Sequence, residues 1–206
     1  MSPGPNQILK TPLTGAIVKI ATLMSGNTFG ARYWTDGKRE APMLPDEPWL
    51  RLVPGGGELF WTDECELVGE EASWGGGGEF ANAPFAGEPA MEDYLRALSN
   101  GVASSPKKEH YVRTRVWWAV NDPVRRGETP APSWLGYREN LISLLTLLSE
   151  AIPDQRLTAA EVHRELGNFD RAVELLTFAF PQGYHRAVGC IKALSEQGDS
   201  AVRQIP

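Results

Sequence analysis

Ala16-Ile-Val-Lys-Ile-Ala-Thr-Leu-Met24 is the stretch on which the fold class turns. Its β-branched residues read as a strand. Thr28-Phe-Gly-Ala-Arg-Tyr-Trp34 reads the same way. Asp36-Gly37 then supplies a turn, because glycine tolerates positive φ and aspartate bonds its own backbone. Leu59-Phe60-Trp61 and Glu66-Leu-Val68 add two short strands. Residues 8–70 are therefore expected to form a small antiparallel β-rich unit.

Beyond it the texture changes. Residues 71–90 are rich in glycine and proline, with Trp74 followed by four glycines, Gly75 to Gly78. Ordering such a run is entropically expensive, so the stretch reads as a connector. Neither phosphate-cradling glycine pattern, GxxxxGK[ST] or GxGxxG, occurs in it. From residue 91 onward the signals are helical. Met91 to Leu98 stops near Asn100-Gly101. Ser105-Pro106 resembles an N-cap and first-turn proline, opening a helix to Val120 before Asn121-Asp122-Pro123; strand is the alternative for Tyr111 to Val120. A second Pro/Gly-rich stretch covers 127–136. Leu141, Leu144, Leu145, Leu148 and Ile152 then fall at helical spacing. Thr158-Ala-Ala-Glu161 fits a capping box, Gly167-Asn168 ends that helix, and Phe169 to Phe180 forms the next. Pro181-Gln-Gly183 breaks the chain, and Tyr184 to Gln197 makes a last helix closed by Gly198. The expected class is α+β, with a helical region at 91–202.

Charge and cysteine usage narrow the partners. The 206 residues carry 20 Lys and Arg against 26 Asp and Glu, a net charge of −6. Phosphate binding requires a basic surface, so nucleic acid is not expected as the main partner. Cys65 and Cys190 can form one bridge at most, which points to a reduced, cytoplasmic protein. The start, Met1-Ser-Pro-Gly-Pro-Asn-Gln, lacks a secretory pattern, and no apolar run approaches the roughly 20 residues a membrane helix needs.

Two resemblances follow from particular residues. Ala160, Gly167, Phe169, Ala172, Leu176 and Ala179 resemble one tetratricopeptide repeat at 157–180, in which small residues let two helices approach and glycine makes the turn. His163 replaces that family's bulky aromatic, and no second copy occurs at a 34-residue period. In the first part, Thr11-Pro-Leu-Thr-Gly15 and Val53-Pro-Gly-Gly-Gly57 share the frame X-Pro-x-X-Gly. They resemble the Cys-Pro-x-Cys-Gly knuckles of zinc ribbons, four thiolates around one ion. Ser25-Gly-Asn-Thr-Phe-Gly30, Trp34-Thr-Asp-Gly37 and Phe60-Trp61 are similar to bacterial proteins of unassigned function with intact knuckles. The ligand positions here hold Thr11, Thr14, Val53 and Gly56, so the resemblance implies a ribbon without its metal and no bound cofactor. The alternative is two ordinary proline–glycine turns. Structural zinc contributes on the order of 10 kcal/mol to such folds. Packing of Phe29, Tyr33, Trp34, Trp49, Phe60 and Trp61 is expected to replace it.

The sequence identifies no reaction. His110, His163 and His185 are scattered. Cys65 sits between Glu64 and Glu66, which disfavour a thiolate, and no Gly-x-Ser-x-Gly elbow appears. The most informative polar stretch runs from Arg113 to Arg126. Arginine and tryptophan dominate interfaces, which makes Arg113, Arg115, Trp118, Asn121, Arg125 and Arg126 candidate partner-binding residues. The alternative makes Trp117 and Trp118 core and pairs the arginines with the protein's own carboxylates. The expectation is a non-catalytic bacterial binding or scaffolding protein with a protein partner, a basic one suiting its charge. An immunity or adaptor protein of a toxin or secretion system, or an enzyme with a cleft between the regions, are the alternatives.

Overall fold

A computed structural model describes residues 1–73, 79–128 and 136–206. The protein is α+β, with short antiparallel strands in its first part and helices in its second. Two units divide the chain: Met1–Ala31 with Glu40–Val102, and Arg32–Arg39 with Ala103–Pro206. This differs from the expected boundaries at 70 and 91, since Arg32–Arg39 belongs with the helices and Met91–Ser99 with the strands. The glycine run at 75–78 and most of the 127–136 stretch lie outside the described residues.

The strands are β1 (Ser2–Pro3), β2 (Asn6–Lys10), β3 (Ile17–Ile20), β4 (Leu23–Ser25), β5 (Arg32–Tyr33), β6 (Arg39–Glu40), β7 (Leu50–Leu52), β8 (Leu59–Trp61) and β9 (Glu66–Glu71). The single strand expected over 16–24 is broken at Ala21-Thr22, and only Arg32–Tyr33 of 28–34 is extended in a ladder. In the first unit β2 lies between β3 and β9, and β7 pairs with β8, all antiparallel. Residues 84–87, expected as connector, join the two ladders. Lys19 N donates to Pro84 O and Ala86 N to Lys19 O, both at 2.8 Å. Gly87 exchanges both backbone bonds with Leu52, at 2.8 and 3.1 Å. Leu9, Val18 and Phe60 form the core beneath, flanked by Ile20, Val53, Cys65 and Ala86. Helix α1 (Met91–Ser99) closes the unit, capped where Asp93 accepts from Ala90 N.

The two proline–glycine frames have one construction. Thr11 N donates to Ala16 O and Val53 N to Glu58 O, five residues on in each case. Gly15 N bonds Thr11 O, and Gly57 N bonds Val53 O. Gly15 and Gly57 take φ of 69° and 71°, the left-handed region that favours glycine. The buried Glu58 side chain ties the second loop to the first. Its Oε2 accepts from the hydroxyls of Thr11, at 3.1 Å, and Thr14, while Oε1 accepts from Leu13 N at 3.3 Å. Thr11 Oγ1 also accepts from Ala16 N at 3.1 Å. A carboxylate therefore joins the loops, with Val53 and Gly56 contributing backbone hydrogen bonds and Val53 packing on the core. Aromatic packing is only part of this unit's cohesion. Trp61 and Phe60 are buried, and Trp49 meets Trp61 edge-on at 4.6 Å, but Phe29 is 86% exposed. Tyr33 is also exposed, and it belongs with Trp34 to the second unit, which corrects the expectation for these three.

In the second unit the helices are α2 (Pro106–Arg125), α3 (Tyr137–Leu145), α4 (Pro153–Glu165), α5 (Phe169–Leu175) and α6 (His185–Glu196). Ser105 caps α2 by accepting from Lys108 N at 3.3 Å. The expected stop at Asn121-Asp122-Pro123 does not occur, and α2 carries Pro123 internally. Side chains on both flanks of the proline, Asn121 and Arg125, are bonded inward and hold that last turn. The leucine stripe is helical only to Leu145; Leu148 still packs inward from the following turn, and Ile152 is exposed. No capping box forms at Thr158, since α4 begins at Pro153 and the Thr158 hydroxyl donates to Asp154 O within it. Ala160 and Ala172 are buried between α4 and α5, and Gly167 turns the chain at φ 81°, whereas Ala179 is exposed beyond the shortened α5. Trp117, Leu141, Leu144, Val162 and Leu166 make one core cluster and Ala159, Ala160, Leu175, Leu176 and Ile191 another. Arg203 to Ile205 run beside Tyr33 to Thr35, with Ile205 N on Tyr33 O at 2.8 Å and Thr35 N on Arg203 O at 2.9 Å.

Glu58→Ala is expected to lower the unfolding free energy by about 2 kcal/mol, because it removes three donors' shared acceptor. Combined with Thr11→Ala the loss should be less than additive in urea denaturation. Full additivity would mean that the two side chains share no bond.

Candidate functional site

The densest polar constellation lies in the second unit. Helix α2 puts Trp117, Asn121 and Arg125 at four-residue intervals, so one face carries all three. Helix α4 contributes Glu161, Arg164 and Glu165, α3 contributes Tyr137, and the turn after β5 contributes Asp36. Asp36 Oδ2 accepts from Arg125 Nη2 and, at 3.0 Å, from Asn121 Nδ2. The two charged side chains are 0% and 2% exposed. Arg125 Nη1 also donates to Trp118 O at 2.8 Å and Asp122 Oδ1 at 2.6 Å. Glu165 accepts from Trp117 Nε1 at 2.9 Å, from Asn121 Nδ2 at 3.1 Å, and shares a short contact with the Tyr137 hydroxyl. Arg164 pairs with Glu161, both side chains fully buried, and Nη1 donates to Asp199 O.

The charges in this cluster do not balance unless one is lost. Asp36 has Arg125 and Glu161 has Arg164, while no ion pair to Glu165 is present among the described residues. Burial, then the charges of Glu161 and Asp36, push Glu165 up to about 8, against the bonds from Tyr137 and Trp117. A neutral carboxyl at that position makes the cluster neutral overall. Burial first, and Glu165 second, also raises Tyr137.

Of the residues read as partner-binding, Trp118, Asn121 and Arg125 converge on Asp36, with Trp118 Nε1 donating to Asp36 O at 2.9 Å. Arg113 pairs with Glu109 at 2.7 Å and reaches Asn140, and Arg115 lies over the Tyr111 and Trp118 rings. Arg126 points outward onto Glu128 at 2.6 Å. The sequence reading places Asp36 only in a turn and Glu161 only in a capping box, and gives Tyr137 and Glu165 no role. The spacing of Glu161 and Arg164 is a local signal for that pair. Nothing local links Asp36 to Arg125, 89 positions away.

Nucleophilic chemistry finds little support in the cysteines. Burial, with Glu58, Glu64 and Asp63, pushes Cys65 up to about 11, and its thiol donates to Trp61 O. Burial raises Cys190 too. His110 and His163 are lowered, by burial first. No group of three His, Cys, Asp or Glu side chains among the described residues is placed to hold a metal ion. The hydroxyls of Thr11 and Thr14 are taken by Glu58.

The formal charge is unevenly divided. The first unit holds 4 Lys and Arg against 13 Asp and Glu, net −9, and the second 16 against 13, net +3. No helix among the described residues is long and apolar enough to cross a membrane. Comparison with family models, curated proteins and solved structures finds no match for this chain.

Two outcomes follow for the cluster. The unfolded Glu165 carboxyl loses its proton near 4.5 and the folded one near 8. Between those values the unfolded state binds fewer protons, so stability falls as pH rises, by at most about 1.4 kcal/mol per pH unit. Glu165→Gln should flatten that slope in chemical denaturation followed across pH; an unchanged slope would place the titration elsewhere. Arg125→Ala should cost about 3 kcal/mol by stranding Asp36, whereas Arg126→Ala should leave the melting temperature unmoved.

Proposed function

We propose that this is a non-catalytic protein whose acidic, β-rich unit recognises a basic protein partner. The observation that carries this reading is the segregation of charge, −9 in that unit against +3 in the other. Excess charge of one sign steers an oppositely charged partner and speeds association. The 3-10 turn Thr62–Glu64 and β9 put Asp63, Glu64, Glu66 and Glu70 on the surface, with exposed Leu67 among them. Lys10 answers Glu66 only at 3.6 Å and from solvent, which offsets little. The inward bonding of Asn121 and Arg125 moves the weight of the reading from α2 to this acidic surface. Glu165 is satisfied by Trp117, Asn121 and Tyr137, which argues for an internal role over acid–base work on a substrate. An adaptor or immunity protein is one form of the proposed activity.

The full chain, immobilised beside its Glu66→Gln/Glu70→Gln variant, tests this against lysate of the source organism. A protein retained by the first and not the second should be basic. Calorimetry on the purified pair should then show affinity falling with added salt and roughly tenfold weaker binding to the variant. A partner that binds both chains equally and ignores salt would remove the electrostatic basis of the reading.

A further inference from the structure

The β-rich unit encloses a pocket of about 220 Å³ where β3, the 84–87 segment and β7 meet. Small-molecule sites begin near ~300 Å³, so a ligand of few heavy atoms is the appropriate scale. Ile20, Leu23 and Phe85 supply apolar wall, and Asp46, Glu47 and Glu88 line it with carboxylates. Two cations also line it, and their circumstances differ. Lys19 is spent within the protein: Nζ donates to Glu71 Oε2 at 2.5 Å and to Ala81 O at 3.2 Å. Arg51 is not. Its side chain is nine-tenths buried, and Nε donates to Pro48 O at 3.0 Å, which fixes the guanidinium plane. Among the described residues no oxygen accepts a hydrogen bond from either terminal nitrogen. Glu88 Oε1 stands 3.8 Å from Nη1, an ion pair beyond hydrogen-bond reach, on a side chain 72% exposed.

A guanidinium held at Nε, with no hydrogen bond at either terminal nitrogen, matches a carboxylate, which accepts two parallel bonds from that fork. A plain anion would meet repulsion from Glu47 and Glu88, and a plain cation would leave the fork empty. A ligand carrying both charges answers both groups. We propose that this pocket binds a small zwitterion, a free α-amino acid with an aliphatic side chain. Its carboxylate lies in the Arg51 fork, its ammonium against Glu88 and Glu47, and its side chain against Ile20, Leu23 and Phe85. This site is independent of the acidic surface proposed to meet a protein.

Titration of the ¹⁵N-labelled full chain with L-leucine, N-acetyl-L-leucine and L-leucinamide tests it by NMR. Leucine should shift the amides of residues 20–23 and 85–88 saturably. The acetylated compound lacks the ammonium and the amide lacks the carboxylate, so each should bind at least roughly tenfold more weakly. Arg51→Lys keeps a charge but loses the fork, and should weaken leucine by about the same factor. Three results would overturn the proposal: no saturable shift with leucine, leucinamide binding as tightly as leucine, or shifts located away from the pocket. The ligand comparison uses the unmodified chain, so it decides even where the Arg51 variant fails to fold.

Discussion

Asp36 and Arg125 are buried side by side, and neither could be withdrawn from water without the other. Their pairing fixes the position of the turn after β5 against α2, and Asn121 extends the same bonds to Glu165 on α4. Through Glu165 the contact reaches Tyr137 at the start of α3 and Trp117 at the centre of a core cluster. One polar centre therefore orients four separate segments, and apolar packing of Leu141, Leu144 and Val162 supplies area around it. Such a centre adds little net stability over a hydrophobic substitute, but it admits few alternative arrangements, since each would leave a buried charge stranded.

The β-rich unit solves a different problem. It is small, its strands are three to six residues long where they form ladders with β2 or β7, and it has no metal-ligating cysteine cluster among its described residues. Glu58 joins two loops of equal construction by accepting from both threonine hydroxyls and a backbone amide. The unit also carries more negative charge than the whole chain nets, −9 against −6, because the other unit is positive, and Asp63, Glu64, Glu66 and Glu70 lie outward. Cohesion and surface charge thus draw on the same residue type in different surroundings.

The class of fold was legible because it rests on local pattern. Short β-prone runs around 17–20 and 59–61, the cap at Ser105-Pro106 and the glycines at 101, 167 and 198 each act within a few residues. The helix through Pro123 was not legible, because the bonds that override the proline come from Asp36 and Glu165. Phe29 reads as core by residue type and lies in solvent. The arginine–tryptophan stretch could be found, but the direction its side chains take depends on partners dozens of positions away. Glu58 was hidden for the same reason: its donors lie more than forty residues earlier.

The segment 84–87 has a consequence for how the molecule is made. It sits between β3 and β7, although Lys19 and Leu52, the residues it bonds there, precede it by more than thirty positions. The two ladders remain separate sheets with facing open edges until this late piece is laid between them. Contacts of such wide sequence separation slow folding, and open edges invite pairing with other chains in the interval. The edges of β3 and β7 are thus closed by a segment that leaves the ribosome after both strands have done so.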